Sequence, residues 1–528
     1  MPSTISILGL FTLLLAGAIG FWMAQKDQTE PTRHQTTSAN KKPTPSTLPH
    51  NKPLTRSHRA KNQYDPKLLE SIPPFALENE RIATFQTDKE YQKFLTSLSG
   101  KNLKLLGKSD RLRAVRFGFN LITDLDDLNG AELSLNYAVT IPTPPDASAQ
   151  AGATGFSNNA LSWLGVTGDN SQWGKGITVA VLDTGVNNHL ALKPGTVTQV
   201  NLATPGVGTE QSHGTAVASI ISGDHPLTPG VAPASNILSI QITDASGSSN
   251  SLTLADGIIH AVDAGAQVIN ISMGSYGDSN VVRNAVAYAQ ANGSVIVASS
   301  GNAGIETIAY PAAYEGVIAV GAVEAKGEHL DFSNTGDQLG ITAPGFAVNA
   351  AWGEEQLTQF SGTSASAPFI SGAIAAAMTQ QNLTAAQAAT LVLENANEAG
   401  LPGTDNAYGD GILDLGRIMN HGTAGIYDAA IASQVIVPPV NNSQLPQVLV
   451  TIENRGTETL INSPLTVNSP SGSQTINISS LTPGAIHTYP LPILLPSNGS
   501  SVSVSSSIQI TETDSNQTNN NRSSEFSK

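Results

Sequence analysis

Three short segments carry residue types that together could supply a nucleophile, a base and an orienting acid. Asp183 stands before a Thr-Gly pair, His213 stands before a Gly-Thr pair, and Ser364 follows another Gly-Thr pair. A serine hydroxyl attacks a carbonyl only when a base removes its proton, and a carboxylate can hold histidine in the tautomer that acts as this base. Each segment alone is weak evidence, because polar residues at strand ends and helix starts are commonly turn or cap residues.

The hydrophobic pattern indicates which elements must position these segments. Short apolar runs predict buried parallel strands, and helical periodicity between them predicts crossover helices. In this pattern Asp183 ends the first strand, while His213 and Ser364 lie at the starts of two helices. In a doubly wound parallel sheet of this kind, functional residues gather at the carboxyl ends of the strands. The predicted strands are residues 177–182, 237–242, 268–271, 295–298 and 317–323, and the predicted helices are residues 254–264 and 281–291.

The three segments together are far more specific than any one of them. They occur in the order Asp, His, Ser, with 30 residues from Asp183 to His213 and 151 from His213 to Ser364. The surrounding strings are VAVLDTGV at residues 179–186, HGTAVA at 213–218 and GTSASAP at 362–368. Over residues 155–420 the chain resembles the subtilisin-like serine proteases, the subtilase family, in which this order is found. The resemblance implies a serine endopeptidase with Asp183, His213 and Ser364 as its triad.

The same resemblance implies residues around the triad. Asn302, in the string SGNAG at residues 300–304, matches the family's oxyanion-hole asparagine and would act with the backbone N–H of Ser364. Two segments match the walls of the family's substrate cleft, where an extended peptide pairs with the main chain. These candidate substrate-binding residues are Ser272, Met273, Gly274, Ser300 and Gly301.

The specificity pocket can be predicted from three nearby positions. Ala303 stands where relatives often carry an acid, and Ala309 stands where a glycine is frequent. These residues predict a shallow apolar pocket and a preference for medium-sized apolar side chains before the cleaved bond. An alternative stays open, because the carboxylate of Glu306 would favour Lys or Arg if it turned into the pocket.

Two departures from the family pattern concern metal and oxidation. Residues 222–229 are shorter than the family's usual calcium loop and contain Asp224 as their only carboxylate. We therefore expect no cofactor and assign no metal ligand, leaving a structural calcium ion as an open alternative. Ala365 replaces a methionine common beside the nucleophile, so we expect activity to survive mild peroxide.

The segments before the protease region indicate export and a precursor. Residues 1–24 form an apolar run that fits either a cleaved signal peptide or a retained membrane anchor, and residues 25–65 read as a polar linker. Residues 66–145 show strand, helix, strand, helix, strand patterns, which predict a small α+β domain. Beside a subtilase this domain resembles the inhibitory pro-domain, and self-cleavage is expected near residues 143–151. The predicted product is secreted or anchored at the cell envelope.

The remaining regions are the protease domain, residues 146–422, and a C-terminal domain, residues 423–528. Alternating runs at 447–453, 474–478 and 501–510, separated by turn residues, predict an all-β sandwich in the latter. This domain weakly resembles adhesion-related repeat domains of bacterial exported proteins. We expect it to act as a spacer or a surface-binding module.

Composition and charge exclude several classes of function. The sequence has no cysteine, which excludes disulfides and thiolate chemistry. Residues 1–135 contain 18 of the 26 Lys and Arg and 13 of the 41 Asp and Glu, so their net charge is +5. The net charge of residues 136–528 is −20. A segment as acidic as residues 136–528 is a poor nucleic-acid binder. The more basic residues 1–135 are expected to be attracted to this acidic segment. The expected partners are protein or peptide substrates and the chain's own pro-domain, in a monomer.

Two other functions remain to be weighed against a peptidase. A non-catalytic binding protein on a protease fold would show a broken triad or lack Asn302, and all four positions are intact. An esterase using the same triad would lack a peptide-pairing segment, and residues 272–274 match such a segment. Both comparisons favour peptide hydrolysis.

Overall fold

The structure is a computed structural model that describes residues 75–126, 128, 130–145, 150, 152–203, 211–439, 445–496 and 500–527. The predicted signal or anchor at residues 1–24 and the predicted linker at 25–65 lie outside these residues. Among the described helices, none combines the length and apolarity that a membrane span requires.

The first described unit is a small α+β domain in which a helix packs on an antiparallel sheet. The helix begins at a capping box, in which the side chains of Thr87 and Glu90 satisfy each other's backbone N–H groups. Its buried Tyr91 and Phe94 pack on sheet residues such as Phe117, whose side chain is fully buried. The elements are β1 (Ala76–Thr84), α1 (Asp88–Ser97), β2 (Leu103–Ser109), β3 (Ala114–Phe119) and β4 (Glu132–Thr140), with 3-10 turns at Leu98–Gly100 and Ile122–Leu125.

The central domain is built on a seven-stranded parallel sheet, as far as the described residues show, in the order β14-β13-β12-β11-β5-β9-β6. Its strands and hairpins are β5 (Thr178–Asp183), β6 (Val197–Asn201), β7 (Asp224–His225), β8 (Thr228–Pro229), β9 (Asn236–Gln241), β10 (Ser248–Asn250), β11 (Val268–Ile271), β12 (Val295–Ser299), β13 (Val317–Val323), β14 (Leu339–Pro344), β15 (Val348–Trp352) and β16 (Gln356–Phe360). Its helices are α2 (Ala160–Trp163), α3 (Ser212–Ser222), α4 (Ser251–Asp263), α5 (Asn280–Ala291), α6 (Thr363–Gln380), α7 (Ala385–Glu394) and α8 (Leu415–Asn420).

Helices cover both faces of this sheet. Because successive residues of a strand point to opposite sides of the sheet, alternate residues of one strand join different cores. In β5, Val179 and Val181 belong to the core that includes α3, α6 and α7. Ala180 and Leu182 belong to the opposite core with α4 and α5. The near-continuous apolar strands of the sequence are therefore buried on both faces, as predicted for a doubly wound sheet.

The two domains share one sheet. Strand β10 of the central domain pairs antiparallel with β4, which gives the order β10-β4-β1-β3-β2. Ile82, Ala114 and Val139 of the first domain lie in the same apolar core as helices α4 and α5. The first domain thus packs on these two helices and reaches the central domain through the end of β4.

The C-terminal domain consists of two antiparallel sheets, which confirms the predicted all-β sandwich. One sheet has the order β17-β18-β21 and the other β20-β19-β22-β23, and their apolar faces form a single core. Its strands are β17 (Ala429–Val437), β18 (Gln447–Asn454), β19 (Leu460–Ser469), β20 (Gly472–Leu481), β21 (Ile486–Pro492), β22 (Val502–Ile508) and β23 (Asn521–Phe526).

Candidate active site

Asp183 and His213 form a buried hydrogen-bonded pair in the candidate site. Asp183 ends β5 with its side chain fully buried, and its carboxylate accepts from His213 Nδ1 at 2.8 and 3.0 Å. The backbone N–H of Thr184 also donates to this carboxylate, at 2.7 Å. With Nδ1 donating to Asp183, the Nε2 atom of the neutral ring is the one left to accept a proton.

The position of His213 depends on a close approach between helix α3 and the end of β5. The backbone N–H of Gly214 donates to the Thr184 hydroxyl at 3.0 Å. A Cβ at position 214 would lie 2.2 Å from the carbonyl oxygen of Gly185, so only glycine fits there. The Gly that follows His213 in the sequence motif is therefore explained by packing beside the imidazole.

Ser364 lies in the first turn of α6, where backbone N–H groups have no partner within the helix. Its hydroxyl donates to the carbonyl oxygen of Ser272 at 3.1 Å, and the Ser272 hydroxyl donates to the carbonyl oxygen of Ser364 at 3.2 Å. The buried Asn270 side chain donates to the Ser272 hydroxyl at 3.0 Å. In this arrangement the Ser364 hydroxyl is directed to Ser272 and forms no hydrogen bond with His213.

Asn302 lies beside the start of α6, with the two ends of its side-chain amide in different roles. The amide oxygen accepts from the backbone N–H of Thr363 at 2.9 Å and from its hydroxyl at 2.8 Å. The amide nitrogen donates to the carbonyl oxygen of Thr143 at 3.2 Å. Thr363 thus turns the N–H groups of Asn302 toward a backbone carbonyl that lies in the cleft.

The predicted substrate segment contacts a strand of the chain itself. Gly274 and Thr140 exchange two backbone hydrogen bonds of 3.0 Å, and on its other edge Thr140 pairs with Ser248 of β10. Met273 is fully buried, and Ser272 contacts Ser364 as described. The segment therefore does present its backbone to an extended peptide, here the end of β4.

The opposite predicted wall contains Ser300 and Gly301, and sequence reasoning missed the residue that holds this wall and the chain up to Thr307 in place. Asn334 is fully buried, and its amide oxygen accepts from the backbone N–H of Ala303 at 2.9 Å. Its amide nitrogen donates to the carbonyl oxygens of Ser300 and Thr307 and to the Tyr276 hydroxyl. Gly301 adopts a φ of 110° and donates its N–H to the Thr363 hydroxyl at 3.3 Å. Asn334 therefore links both walls of the cleft, a role that no local motif around it indicates.

Comparison with known proteins identifies the family of this chain. A profile described as the Subtilase family matches residues 174–411. Subtilisin Savinase of Lederbergia lenta is 33% identical over 243 residues, which cover 46% of this chain and 90% of that protein. The chain belongs to the subtilase family. The predicted fold class and the predicted class of enzyme, a serine endopeptidase, are thereby confirmed.

Two further proteins are similar to this subtilase. The thermostable alkaline protease of Halalkalibacterium halodurans is 32% identical over 248 residues, covering 46% of this chain and 68% of the relative. Among solved structures, the prenylagaramide maturation protease PagA is 30% identical and covers 50% of this chain and 98% of its own, with a TM-score of 0.44.

Two residues of this subtilase that bear on specificity and metal binding have protein partners. The exposed Glu306 carboxylate accepts from the Asn406 side chain at 3.5 Å. Asp224, at the short β7–β8 hairpin, pairs with Lys193 at 3.5 Å. Within the described residues, no group of three or more His, Cys, Asp or Glu side chains is arranged to hold a metal ion. The absence of a cofactor and of a calcium site remains a prediction.

Proposed function

We propose that this subtilase hydrolyses peptide bonds within extended protein segments, with Asp183, His213 and Ser364 as its triad and Asn302 in its oxyanion hole. The observation that carries this proposal is a peptide already in the cleft. Thr140 pairs with Gly274, and three residues later the carbonyl oxygen of Thr143 accepts from Asn302. A substrate bound in the same way would present a carbonyl to the proposed oxyanion donors.

In the proposed mechanism, Ser364 Oγ attacks the substrate carbonyl carbon while His213 Nε2 takes the hydroxyl proton. The Asp183 carboxylate keeps the imidazole oriented and stabilises the imidazolium. His213 then gives the proton to the leaving amine, and water hydrolyses the ester on Ser364 by the same route. The Ser364 hydroxyl must first turn from Ser272 to His213, since nucleophile–base hydrogen bonds often tighten only in the productive complex.

Charge that develops on the substrate oxygen would be stabilised by two donors. One is the amide N–H of Asn302, held in place by Thr363, and the other is the backbone N–H of Ser364 in the first turn of α6. Both are fixed before reaction, so little reorganisation opposes their interaction with the tetrahedral intermediate.

We also propose an apolar preference before the cleaved bond. Ala309 is buried, and the carboxylate of Glu306 has a partner in Asn406 at the surface, which supports the apolar alternative over a Lys or Arg preference. Cleavage-site profiling on a mixed peptide library tests this choice. Dominant cleavage after Lys or Arg would reverse it.

Residues 66–145 are proposed to be an inhibitory pro-domain, removed by self-cleavage. Three contacts with the central domain support this role. Ser109 donates to Asp256 at 2.7 Å, Arg111 binds Asp263 at 3.0 Å, and Asn280 donates to Glu132 at 3.2 Å. A Cβ on Gly277 would lie 2.0 Å from the Tyr137 ring, which shows how closely β4 approaches the cleft wall.

The proposal for the whole chain is an exported, monomeric protease, secreted or held at the cell envelope by residues 1–24. Its partners are protein or peptide substrates and its own pro-domain, without nucleic acid. Residues 423–528 are proposed as an adhesion-related sandwich that serves as a spacer or binds a surface. The acidic character after residue 136 supports export and solubility.

Brief digestion with trypsin gives a direct test of the proposed activity. Trypsin cuts after Lys and Arg, and residues 66–145 hold 10 such residues, against 8 in the much longer stretch 146–528, so the pro-domain should be degraded first. After trypsin is blocked with a specific inhibitor, the wild-type protein should hydrolyse labelled casein and Ser364→Ala should not. Equal casein hydrolysis by both proteins, or by neither, would contradict the proposal.

A further inference from the structure

We infer that the peptide bond presented to Ser364 in the intact chain is Thr143–Pro144, and that Pro144 makes it a slowly cleaved bond. The end of the pro-domain would then be a built-in, cleavage-resistant inhibitor. This inference rests on the proposed function, because it requires Ser364 to act as a nucleophile and residues 66–145 to act as a pro-domain. Beyond the proposed function, the inference names the bond that lies in the cleft of the inhibited chain and gives a chemical reason why this bond is cleaved slowly.

The register of the bound segment identifies the bond. Thr140 is fixed on both edges, by Ser248 on one side and by Gly274 on the other. From Thr140 an extended chain advances about 10 Å in three residues, at roughly 3.3 Å per residue. This advance brings Thr143 to Asn302, whose amide nitrogen donates to the Thr143 carbonyl oxygen at 3.2 Å. The carbonyl in the proposed oxyanion position therefore belongs to the bond that joins Thr143 to Pro144.

The prolines around this bond favour binding. Pro142, Pro144 and Pro145 each have a φ fixed by the ring near about −65°, and a residue that precedes proline is restricted to extended conformations. Thr143 both follows and precedes a proline, so it is extended before it enters the cleft. A segment already ordered in its bound shape loses less conformational entropy on binding, which strengthens inhibition.

The same Pro144 opposes cleavage. In the reaction, Ser364 Oγ would bond to the Thr143 carbonyl carbon, the C–N bond to Pro144 would break, and His213 would carry the serine proton to the Pro144 nitrogen. This step leaves a secondary amine on Pro144, and water then hydrolyses the ester between Thr143 and Ser364 to a Thr143 carboxylate and the free Ser364 hydroxyl. The Pro144 nitrogen is bonded to Cδ of its ring in place of a hydrogen. To accept the proton from His213, the nitrogen must turn its lone pair toward the imidazole, and the ring must then move against the wall of the cleft. This movement slows cleavage.

The position of the nucleophile is an independent observation that agrees with slow cleavage. With Thr143 on Asn302, the Ser364 hydroxyl donates to the carbonyl oxygen of Ser272 and not to His213. A hydroxyl in this position has not begun to transfer its proton to the base. The bound segment thus contacts Asn302, one of the two proposed oxyanion donors, while the nucleophile remains unactivated.

Processing kinetics of the full chain test the inference. The change is Pro144→Ala, and Pro145→Ala is the matched control because it removes the neighbouring proline and leaves the leaving nitrogen unchanged. Intact mass against time should show self-cleavage of Pro144→Ala at least roughly tenfold faster than wild type, a barrier difference that one altered group can supply. The new N-terminus of this variant should be the alanine introduced at position 144, and Pro145→Ala should process at the wild-type rate.

Variants that also carry Ser364→Ala separate chemistry from docking. The Ser364→Ala protein and the Ser364→Ala/Pro144→Ala protein should both stay whole, and the double variant should not have the higher Tm, since Pro144 pre-orders the docked segment in addition to slowing bond cleavage. Wild type that is cut at Thr143–Pro144 as fast as Pro144→Ala would overturn the inference. So would a Pro144→Ala protein that is cut first at another bond.

The casein assay after trypsin distinguishes this failure from failure of the proposed function. If wild type hydrolyses casein through Ser364 but Pro144→Ala does not accelerate processing, the inference is wrong and the proposed function stands. If no variant shows Ser364-dependent casein hydrolysis, both are wrong.

Discussion

The side-chain oxygen of Asn302 accepts two hydrogen bonds from Thr363, the residue immediately before Ser364. The backbone N–H donates at 2.9 Å and the hydroxyl at 2.8 Å. Because Thr363 begins helix α6, the proposed oxyanion donor and the proposed nucleophile are fixed to the same helix turn. The distance between them is thus set by one element and does not depend on the separate placement of two loops.

Thr363→Val removes the hydroxyl donor to Asn302 and keeps the backbone donor. We expect kcat to fall roughly tenfold with little change in KM, because the altered contact matters most in the transition state. Complete loss of an oxyanion donor in serine proteases of this kind costs about 100- to 1,000-fold in kcat. Thr363→Ser, which keeps the hydroxyl, is the control. A rise in KM with unchanged kcat would argue against this role.

Asn334→Leu removes the side chain that links residues 300–307 to Tyr276. The carbonyl oxygens of Ser300 and Thr307 would lose their donor, so we expect both lower kcat and a cost in stability of about 1–3 kcal/mol for unsatisfied buried groups. Thermal unfolding and casein kinetics measure the two effects. Thr335→Ala, next along the chain, is the control, and equal losses in both variants would contradict a specific role for Asn334.

Mild peroxide should leave activity intact. Met273, in the predicted substrate segment, is fully buried, and Ala365 beside Ser364 carries no thioether. Oxidation depends on exposure of the sulfur, so the partly exposed Met419 should react before Met273. Peptide mass spectrometry, with activity measured on the same samples, follows both events. Loss of activity in step with oxidation of Met273 would show that the side chain is accessible.

The sandwich is joined to the central domain by a buried ionic cluster. Glu453 of β18 accepts from Arg417 of α8, from Arg455 at 2.9 Å and from the backbone N–H of Glu398 at 3.0 Å. Burial alone would raise the pKa of Glu453, but the guanidinium groups of Arg455 and Arg417 outweigh burial and lower it. Burial, and then the nearby Glu453 carboxylate, raise the pKa of Glu398 to about 8.

Glu398→Gln should therefore stabilise the protein more at high pH than at low pH. Between the ordinary pKa of 4.5 and about 8, folded Glu398 keeps a proton that the unfolded chain releases, so wild-type stability falls as pH rises through this window. Glutamine has no proton to lose, and the difference in Tm between variant and wild type should grow from about pH 6 to about pH 9. Glu394→Gln, at an exposed position of α7, is the control. A difference that is constant with pH would refute the raised pKa.

The sequence could point to the candidate site residues because each lies in a short string whose conformation is locally determined. Gly214 is required by its approach to Gly185, and the Gly before Thr363 adopts a φ of 126°. Such requirements leave glycines at fixed offsets from the reacting residues, so the motif can be recognised without the fold. Strands β12 and β13 could also be predicted, since both are largely apolar runs, whereas β6 and β14 of the same sheet were not among the predicted strands.

Contacts between distant segments could not be predicted. Strand β2 carries exposed lysines at Lys104 and Lys108 and was missed because it has little apolar alternation. Four sandwich strands, β17, β19, β21 and β23, were also missed. The predicted helix at residues 122–128 is a 3-10 turn at Ile122–Leu125. Asn334 and the partners of Glu453 are ordinary polar residues in sequence, and only the fold brings their partners together.

Covalent labelling with a fluorophosphonate tests the central claim most directly. After brief trypsin treatment to remove the proposed pro-domain, the wild-type protein should take up about one equivalent of probe, on the peptide that contains Ser364. Asp183→Asn should react much more slowly, because a wrongly held imidazole lowers the rate by about 10,000-fold in triads of this kind. Labelling at another serine, or equal labelling of wild type and Asp183→Asn, would contradict the account of a triad formed by Asp183, His213 and Ser364.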